Sequence, residues 1–307
     1  MMQCFRRKKV SNIYGKGEKV FQIIIHVILI IFALAAILPL LILVMGSITN
    51  ESELIQSGYT FFPKNIDFTS YKYLFQKAPE ILRAYGVTLF ITVFGTALSL
   101  FITPLLAYPL SRKDFKNRQI FSFIVFFTML FNGGIVPSYI MWTQIFHLKN
   151  TIWSLIFPNL LMNGFNVVLM KNYFAQNIPT ELIEAAKVDG ENEFGIYFKI
   201  VLPLALPVMA TVGLFVGIGY WNDWTNGLYY VNQPELYSLQ NYLNRIMQDV
   251  QFMMSNAQIG GGQMAASFPS TGIRMAISVI GIIPIMVLYP FFQKYFVKGI
   301  TVGAVKG

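Results

Sequence analysis

The sequence predicts an all-α, polytopic integral membrane protein with six transmembrane helices. Three observations carry this. The 307 residues are 55% hydrophobic and only 12% charged, about half the charged share of a soluble domain, and mean hydropathy is +0.56. Seven stretches of 19 or more residues lack any Asp, Glu, Lys or Arg; one of them, 250–273, is polar and glycine-containing, and the other six are apolar, and about 20 apolar residues cross a bilayer as a helix. The net charge of +9 is also one-sided. With the N-terminus inside, the inner segments 1–20, 110–119, 171–203 and 294–307 hold 16 of the 23 Lys and Arg and half of the 14 acids. The whole excess then lies on the inner face and the outer face is neutral, which predicts N-in, C-in topology. The basicity is a topology signal, so no nucleic-acid partner is expected.

Residues 1–20 form a cytoplasmic basic segment, followed by a first span over 21–48. Ala33-Leu34-Ala35 imitates a signal-peptide cleavage site, but the apolar run continues for about a dozen residues beyond it, too far for a signal sequence, so an uncleaved helix is expected. The outer segment 49–84 contains Phe61-Phe62-Pro63 and Tyr71-Lys72-Tyr73-Leu74-Phe75 and is expected to include a short helix lying on the surface. A second span covers 84–110, and a basic inner turn, 110–119, leads to a third over 119–147. Asn132-Gly133-Gly134 and Pro137 mark a break in that third helix.

A tight turn at 147–151 precedes a fourth span over 151–171. The fifth, 203–223, carries Gly213 and Gly217, a small-xxx-small pair that allows close packing. The outer segment 223–273 is long and polar, and its Val250–Ile273 part, with Gly260-Gly261-Gly262, reads as loop with at most a short amphipathic helix. The sixth span covers 274–294 and the cytoplasmic tail is 298–307. The membrane domain is thus 21–297.

Several functions are excluded. Cys4 is the only cysteine, and His26 and His147 are the only histidines, so no intrachain disulfide, metal cluster or catalytic constellation is expected. No span carries an Asp, Glu, Lys or Arg in its interior, the charged residues falling only at span ends, which argues against a proton- or sodium-coupled secondary transporter. No Gly-x-x-x-x-Gly-Lys-Ser/Thr phosphate loop occurs; Gly15-Lys16-Gly17 does not fit it. The chain is therefore expected to bind no cofactor and to hydrolyse no ATP.

The inner loop 172–203 departs from the charge rule. With Lys171 it carries three Lys and five acids. Thr180 to Gly190 reads as one short helix, preceded by Pro179, with Thr180 as cap and Gly190 as left-handed stop. A second helix starts near Asn192, and Phe194, Tyr197, Phe198 and Val201 share one of its faces. An acidic helix pair with an apolar face suits a protein partner better than a lipid surface.

These residues carry a resemblance. Glu184-Ala185-Ala186, Asp189-Gly190, Ile200, Pro203 and Pro207 resemble, in spacing and position, the EAA signature of ABC importer permeases. Phe131 to Tyr139, Asn150-Thr151-Ile152-Trp153, Tyr220 to Trp224, Pro234 to Gln240 and the ending Lys298 to Gly307 are similar to the carbohydrate-uptake branch, in its oligosaccharide-permease subgroup. The resemblance implies the type I permease fold in a bacterial cell membrane. It implies a second homologous permease, with a heterodimer expected, an ABC ATPase dimer holding the ATP and Mg, and an extracytoplasmic solute-binding lipoprotein that docks on the outer loops. Glu184 would meet a basic residue of the ATPase, Ala185 and Ala186 would allow close approach, Gly190 would make the turn, and Phe194 would fill a groove.

Candidate substrate contacts are Asn132, Gly133, Tyr139, Trp142, Asn163, Asn166, Tyr220, Trp221 and Asn222. Sugars are held by aromatic faces with amides and hydroxyls. An aromatic belt or helix packing explains the Trp residues equally, and interhelical hydrogen bonds the Asn residues. An ABC importer for a polyamine, phosphonate or peptide is the nearest alternative.

Overall fold

The computed structural model describes residues 16–259 and 269–304. Helices dominate, and among the described residues the extended pairing is one isolated bridge, Thr49 to Ile66. Three helices are long and apolar enough to cross a membrane: Val20–Ser47 within α1 (Lys16–Ser47), α4 (Ala78–Ser111), and Ser270–Val287 within α14 (Ser270–Ala304). Two bent pairs raise the count to five. Arg118–Leu130 (α5) meets Ile135–Ile145 at 113°, and Glu193–Leu204 meets Leu206–Asn222 (α11) at 78°. The first bend falls on the Asn132-Gly133-Gly134 run, where Gly134 takes φ 86°, a conformation that a side chain disfavours. Ile135–Ile145 comprises α6 (Ile135–Ile140) and a π-helical turn, Met141–Ile145.

The expected continuous fourth helix over 151–171 is not present. Ile152–Leu155 forms a 3-10 turn, 156–163 is irregular, and α7 (Gly164–Asn177) begins only at the Asn163 cap. Pro158 lacks a backbone donor and Asn159 sits at φ 62°, so the chain cannot stay helical there. The freed carbonyls are satisfied by side chains. The Tyr220 hydroxyl donates to the Ile156 carbonyl at 2.8 Å and the Asn226 amide donates to that of Pro158 at 3.0 Å, both buried. Irregular backbone packed inside a helical bundle is tolerated when its polar groups are satisfied in this way.

The segments read from the sequence as outer carry more helix and more buried residues than expected. α2 (Glu51–Ser57) and α3 (Thr69–Gln76) pack on α14, with Leu54 and Leu74 buried. The Glu51 carboxylate accepts from the Ser270 hydroxyl at 3.1 Å and from the backbone N–H of Thr271 and Gly272 at 2.9 and 3.0 Å. It thereby caps the first turn of α14, where orphan donors and the helix dipole favour an anion.

The expected loop beyond residue 223 holds α12 (Thr225–Tyr230) and the 21-residue α13 (Leu239–Ile259). α13 buries Leu239, Leu243, Ile246 and Val250, a stripe at helical spacing. It replaces the first ten residues of the stretch read as loop from Val250. Gly260-Gly261-Gly262 lie outside the described residues.

Two main clusters form the core. One joins α4, α7, α11 and the 172–203 loop through Ala107, Met170, Phe174, Ile183, Ile196 and Val212. The other joins α3, α13 and α14 through Leu74, Leu243, Ile246, Ile273 and Ile277. α4 and α11 pack tightly at Gly95, where an added Cβ would lie 2.4 Å from the fully buried Tyr220 ring. Gly213 and Gly217 face Leu100 and Thr96 of α4 in the same seam. α1 leaves most side chains from Val20 to Leu41 exposed and runs beside α14.

Candidate functional site

The 172–203 loop forms a compact unit at the end of the bundle shared with the 110–119 turn. α8 (Thr180–Val188) opens after Pro179 without a side-chain cap, so Thr180 is its first residue and not the expected cap. It ends at Gly190, φ 80°, with the Glu191 N–H donating to the Ala186 carbonyl at 3.0 Å and that of Gly190 to Lys187 at 3.1 Å. That is a left-handed glycine stop closed by a six-to-one hydrogen bond. Asn192 caps α9 (Glu193–Ile196), its side chain accepting from the Gly195 N–H at 2.7 Å. A π-helical turn, Tyr197–Val201, and α10 (Leu202–Leu204) then lead to the 78° bend into α11.

The π turn divides the apolar face that regular spacing had grouped together. Tyr197 and Val201 are buried, whereas Phe194 is 72% exposed and Phe198 48%. On α8, Ile183 and Ala186 turn inward, while Glu184, Ala185, Lys187, Val188, Asp189 and Gly190 are exposed. Val188, at 88%, and Leu182 add to the outward apolar surface. Glu184 makes no hydrogen bond or ion pair among the described residues, Ile200 is half-buried and Pro203 is exposed. The loop is thus anchored by one face and presents apolar groups and a free carboxylate on the other.

A charged network ties this loop to the end of α4. The Arg112 side chain, 12% exposed, donates to the Tyr108 hydroxyl at 2.8 Å, to Glu193 at 3.1 Å, and through Nε to Asp114 at 2.8 Å. A second Arg112 nitrogen also pairs with Asp114. Lys187 meets Glu193 at 2.8 Å and Asp114 at 3.6 Å. The hydrogen bonds from Arg112 hold the Asp114 carboxyl down at about 2, from an ordinary 3.8, and those to Asp114 hold the guanidinium above its ordinary value. The Glu193 hydrogen bond raises Lys187. Spacing did not reveal this network. The available signal was charge: a net −2 loop faces a 110–119 turn of net +3.

The nine candidate substrate contacts do not form one site. Tyr220 and Trp221 are 0% and 4% exposed, Tyr220 being engaged with Ile156 and Gly95 and Trp221 lying near Tyr85. Asn132 accepts from the Gly134 N–H at 2.8 Å beside exposed Gly133, and Asn163 caps α7. Tyr139 stacks on Tyr230 and accepts from Lys149, and Trp142 lies against Phe146. Asn163 and Asn166 share one cavity with Phe215 and Gly219, and Asn222 lines another.

Comparison with known proteins places this geometry. Residues 83–302 match the model of the binding-protein-dependent transport system inner membrane component family. The chain is 42% identical over 273 residues to protein LplC of Bacillus subtilis, covering 88% of this chain and 90% of that one. It is 38% identical over 291 residues to the polygalacturonan/rhamnogalacturonan transport system permease protein YtcP of the same organism, covering 94% and 99%. Its fold is similar to a chain of a bacterial ABC transporter involved in the import of the acidic polysaccharide alginate, with TM-score 0.74, 34% identity, and coverage of 92% of this chain and 99% of that one. The all-α architecture is that of an ABC importer permease. The chain belongs to the binding-protein-dependent inner membrane permeases, multi-pass bacterial membrane subunits that work with an ATPase and a binding protein.

Proposed function

We propose that this chain is one half of the transmembrane pore of an ATP-driven importer for a carbohydrate oligomer. Six crossings with both termini in the cytoplasm fit the one-sided charge, the short α7 serving as the fourth crossing. A second, related permease completes the pore, lipid surrounds it, and the chain itself performs no catalysis and binds no ATP. The oligosaccharide reading is supported by the relatives, which include permeases for arabinooligosaccharides besides polygalacturonan.

The observation that carries the coupling role is the outward face of α8 and α9. Leu182, Val188 and Phe194 stand exposed beside a free Glu184, on a loop whose other face is locked into the core. Burying such side chains contributes about 1.5–3 kcal/mol each, so a partner surface would gain several kcal/mol there. Glu184 would pair with a basic group of the ATPase, Ala185 and Ala186 would keep the approach close, and Asp189 and Gly190 would set the turn. Phe194 would fill a groove, while Ile200 and Pro203 would carry the movement into α11.

Closure of the ATPase pair would then rotate the loop as a unit and switch the pore between outward and inward access. Val188→Asp with Phe194→Asp should abolish co-purification of the ATPase while the permease pair stays assembled. Unchanged co-purification refutes the assignment of this face.

A further inference from the structure

A cleft of about 360 Å³ opens between the end of α11, α13 and the Ile277 to Ile285 stretch of α14. Among the described residues, none of its lining side chains is charged. Its floor is apolar, with Leu243 and Ile277 both 3% exposed, and the exposed Trp224 stands at its rim. Three carboxamides face it: Asn222, Gln240 and Asn244. None of the three makes a hydrogen bond among the described residues, whereas the neighbouring amides are engaged. Asn241 donates to the Trp224 carbonyl at 3.2 Å and accepts from Arg245 at 3.0 Å, and Asn226 donates to Pro158. Gly281 leaves room for the Gln240 amide, whose atoms lie 3.7–3.9 Å from where a Cβ would stand.

A carboxamide offers two donors and one acceptor group, which matches the alternating donors and acceptors of a vicinal diol. An aromatic face beside such amides is the chemistry that holds a sugar ring, and the volume falls within the range of small-molecule sites, about 300–1,000 Å³. The absence of a lining Lys or Arg disfavours a carboxylate-bearing sugar, whose charge would be left unpaired. We propose that this cleft is a subsite on this chain for one uncharged sugar unit of the transported oligomer, held by Asn222, Gln240 and Asn244 against Trp224.

The inference rests on the importer reading but is tested apart from it. The permease pair, assembled with its ATPase in lipid nanodiscs, is probed by saturation-transfer NMR with the uncharged oligosaccharides raffinose, stachyose and maltotriose and with acidic trigalacturonate. Saturation transfer to at least one uncharged probe is expected. It should fall at least threefold in Gln240→Ala and in Asn244→Ala, yet persist in Gln248→Ala, an exposed amide on the same helix outside the cleft. No transfer to any uncharged probe, equal transfer in all variants, or a signal for trigalacturonate alone overturns the subsite. Binding-protein-stimulated ATP hydrolysis is measured on the same nanodiscs. Its presence alongside a negative NMR result removes only the subsite, whereas its absence removes the importer reading.

Discussion

Glu193→Gln removes the one direct ion pair among the described residues between Arg112 and the 172–203 loop, together with the Glu193–Lys187 pair inside the loop. Arg112 makes three contacts, and only the 3.1 Å pair with Glu193 reaches across the sequence, 81 positions away. Glu193 and Asp114 are 57% and 59% exposed in their side chains, so solvent screening limits each pair to about 0.5–1 kcal/mol. The Tyr108 hydrogen bond to a nearly buried guanidinium adds about 1.5 kcal/mol. Arg112→Gln should therefore destabilise the region by about 3 kcal/mol, and Glu193→Gln, which loses its pairs to both Arg112 and Lys187, by about 1–2 kcal/mol. If the pair transmits loop movement to α4, Glu193→Gln lowers the ratio of binding-protein-stimulated to basal ATP hydrolysis about two- to fivefold. A double-mutant cycle on that ratio in proteoliposomes should give a coupling energy near the same 0.5–1 kcal/mol, shrinking in high salt. Strict additivity, with an unchanged ratio in both single variants, refutes the role of the network.

Other outcomes follow from the packing and the charges. Gly95→Ala drives a methyl group into the Tyr220 ring and should cost about 1–3 kcal/mol, read as a lowered Tm of the detergent-solubilised complex. Gly213→Ala, facing only a Leu100 methyl at 3.1 Å, should lower it less. Glu51→Ala leaves two backbone donors at the start of α14 without their acceptor and should destabilise by about 1–3 kcal/mol, while Glu51→Gln recovers part of the loss. Because the Asp114 value is depressed in the folded chain, its contribution is full above 3.8 and is lost as pH falls through about 2. Thermal stability should therefore not change on this account between pH 7 and pH 5, and Asp114→Asn should remove an acid-sensitive component only below about pH 4.

Much of this was legible in the sequence because it rests on composition and fixed spacing. The uncharged runs located α1, α4 and α14, and Asn132-Gly133-Gly134 located the bend between α5 and α6. The Glu184 to Gly190 spacing located a helix with a glycine stop. The fourth helix was misplaced because lack of charge says nothing of backbone geometry; Pro158, Asn159 and Asn163 end the helical path locally, and Tyr220 and Asn226 satisfy it from a distance. α13 was missed because its stripe of Leu239, Leu243, Ile246 and Val250 is diluted by amides, two of which line the uncharged cleft. Tyr220 and Trp221 suit sugar binding by residue type, but only packing reveals that their faces are already covered. The Arg112 network joins residues 81 positions apart, and no local pattern specifies that pairing.

The most direct test of the account is uptake of a labelled oligosaccharide into proteoliposomes holding both permeases and the ATPase, with the binding protein outside. The account predicts uptake that requires enclosed ATP and the binding protein, survives collapse of proton and sodium gradients, and is lost in Phe194→Asp. Uptake that persists without ATP and follows an ion gradient contradicts it.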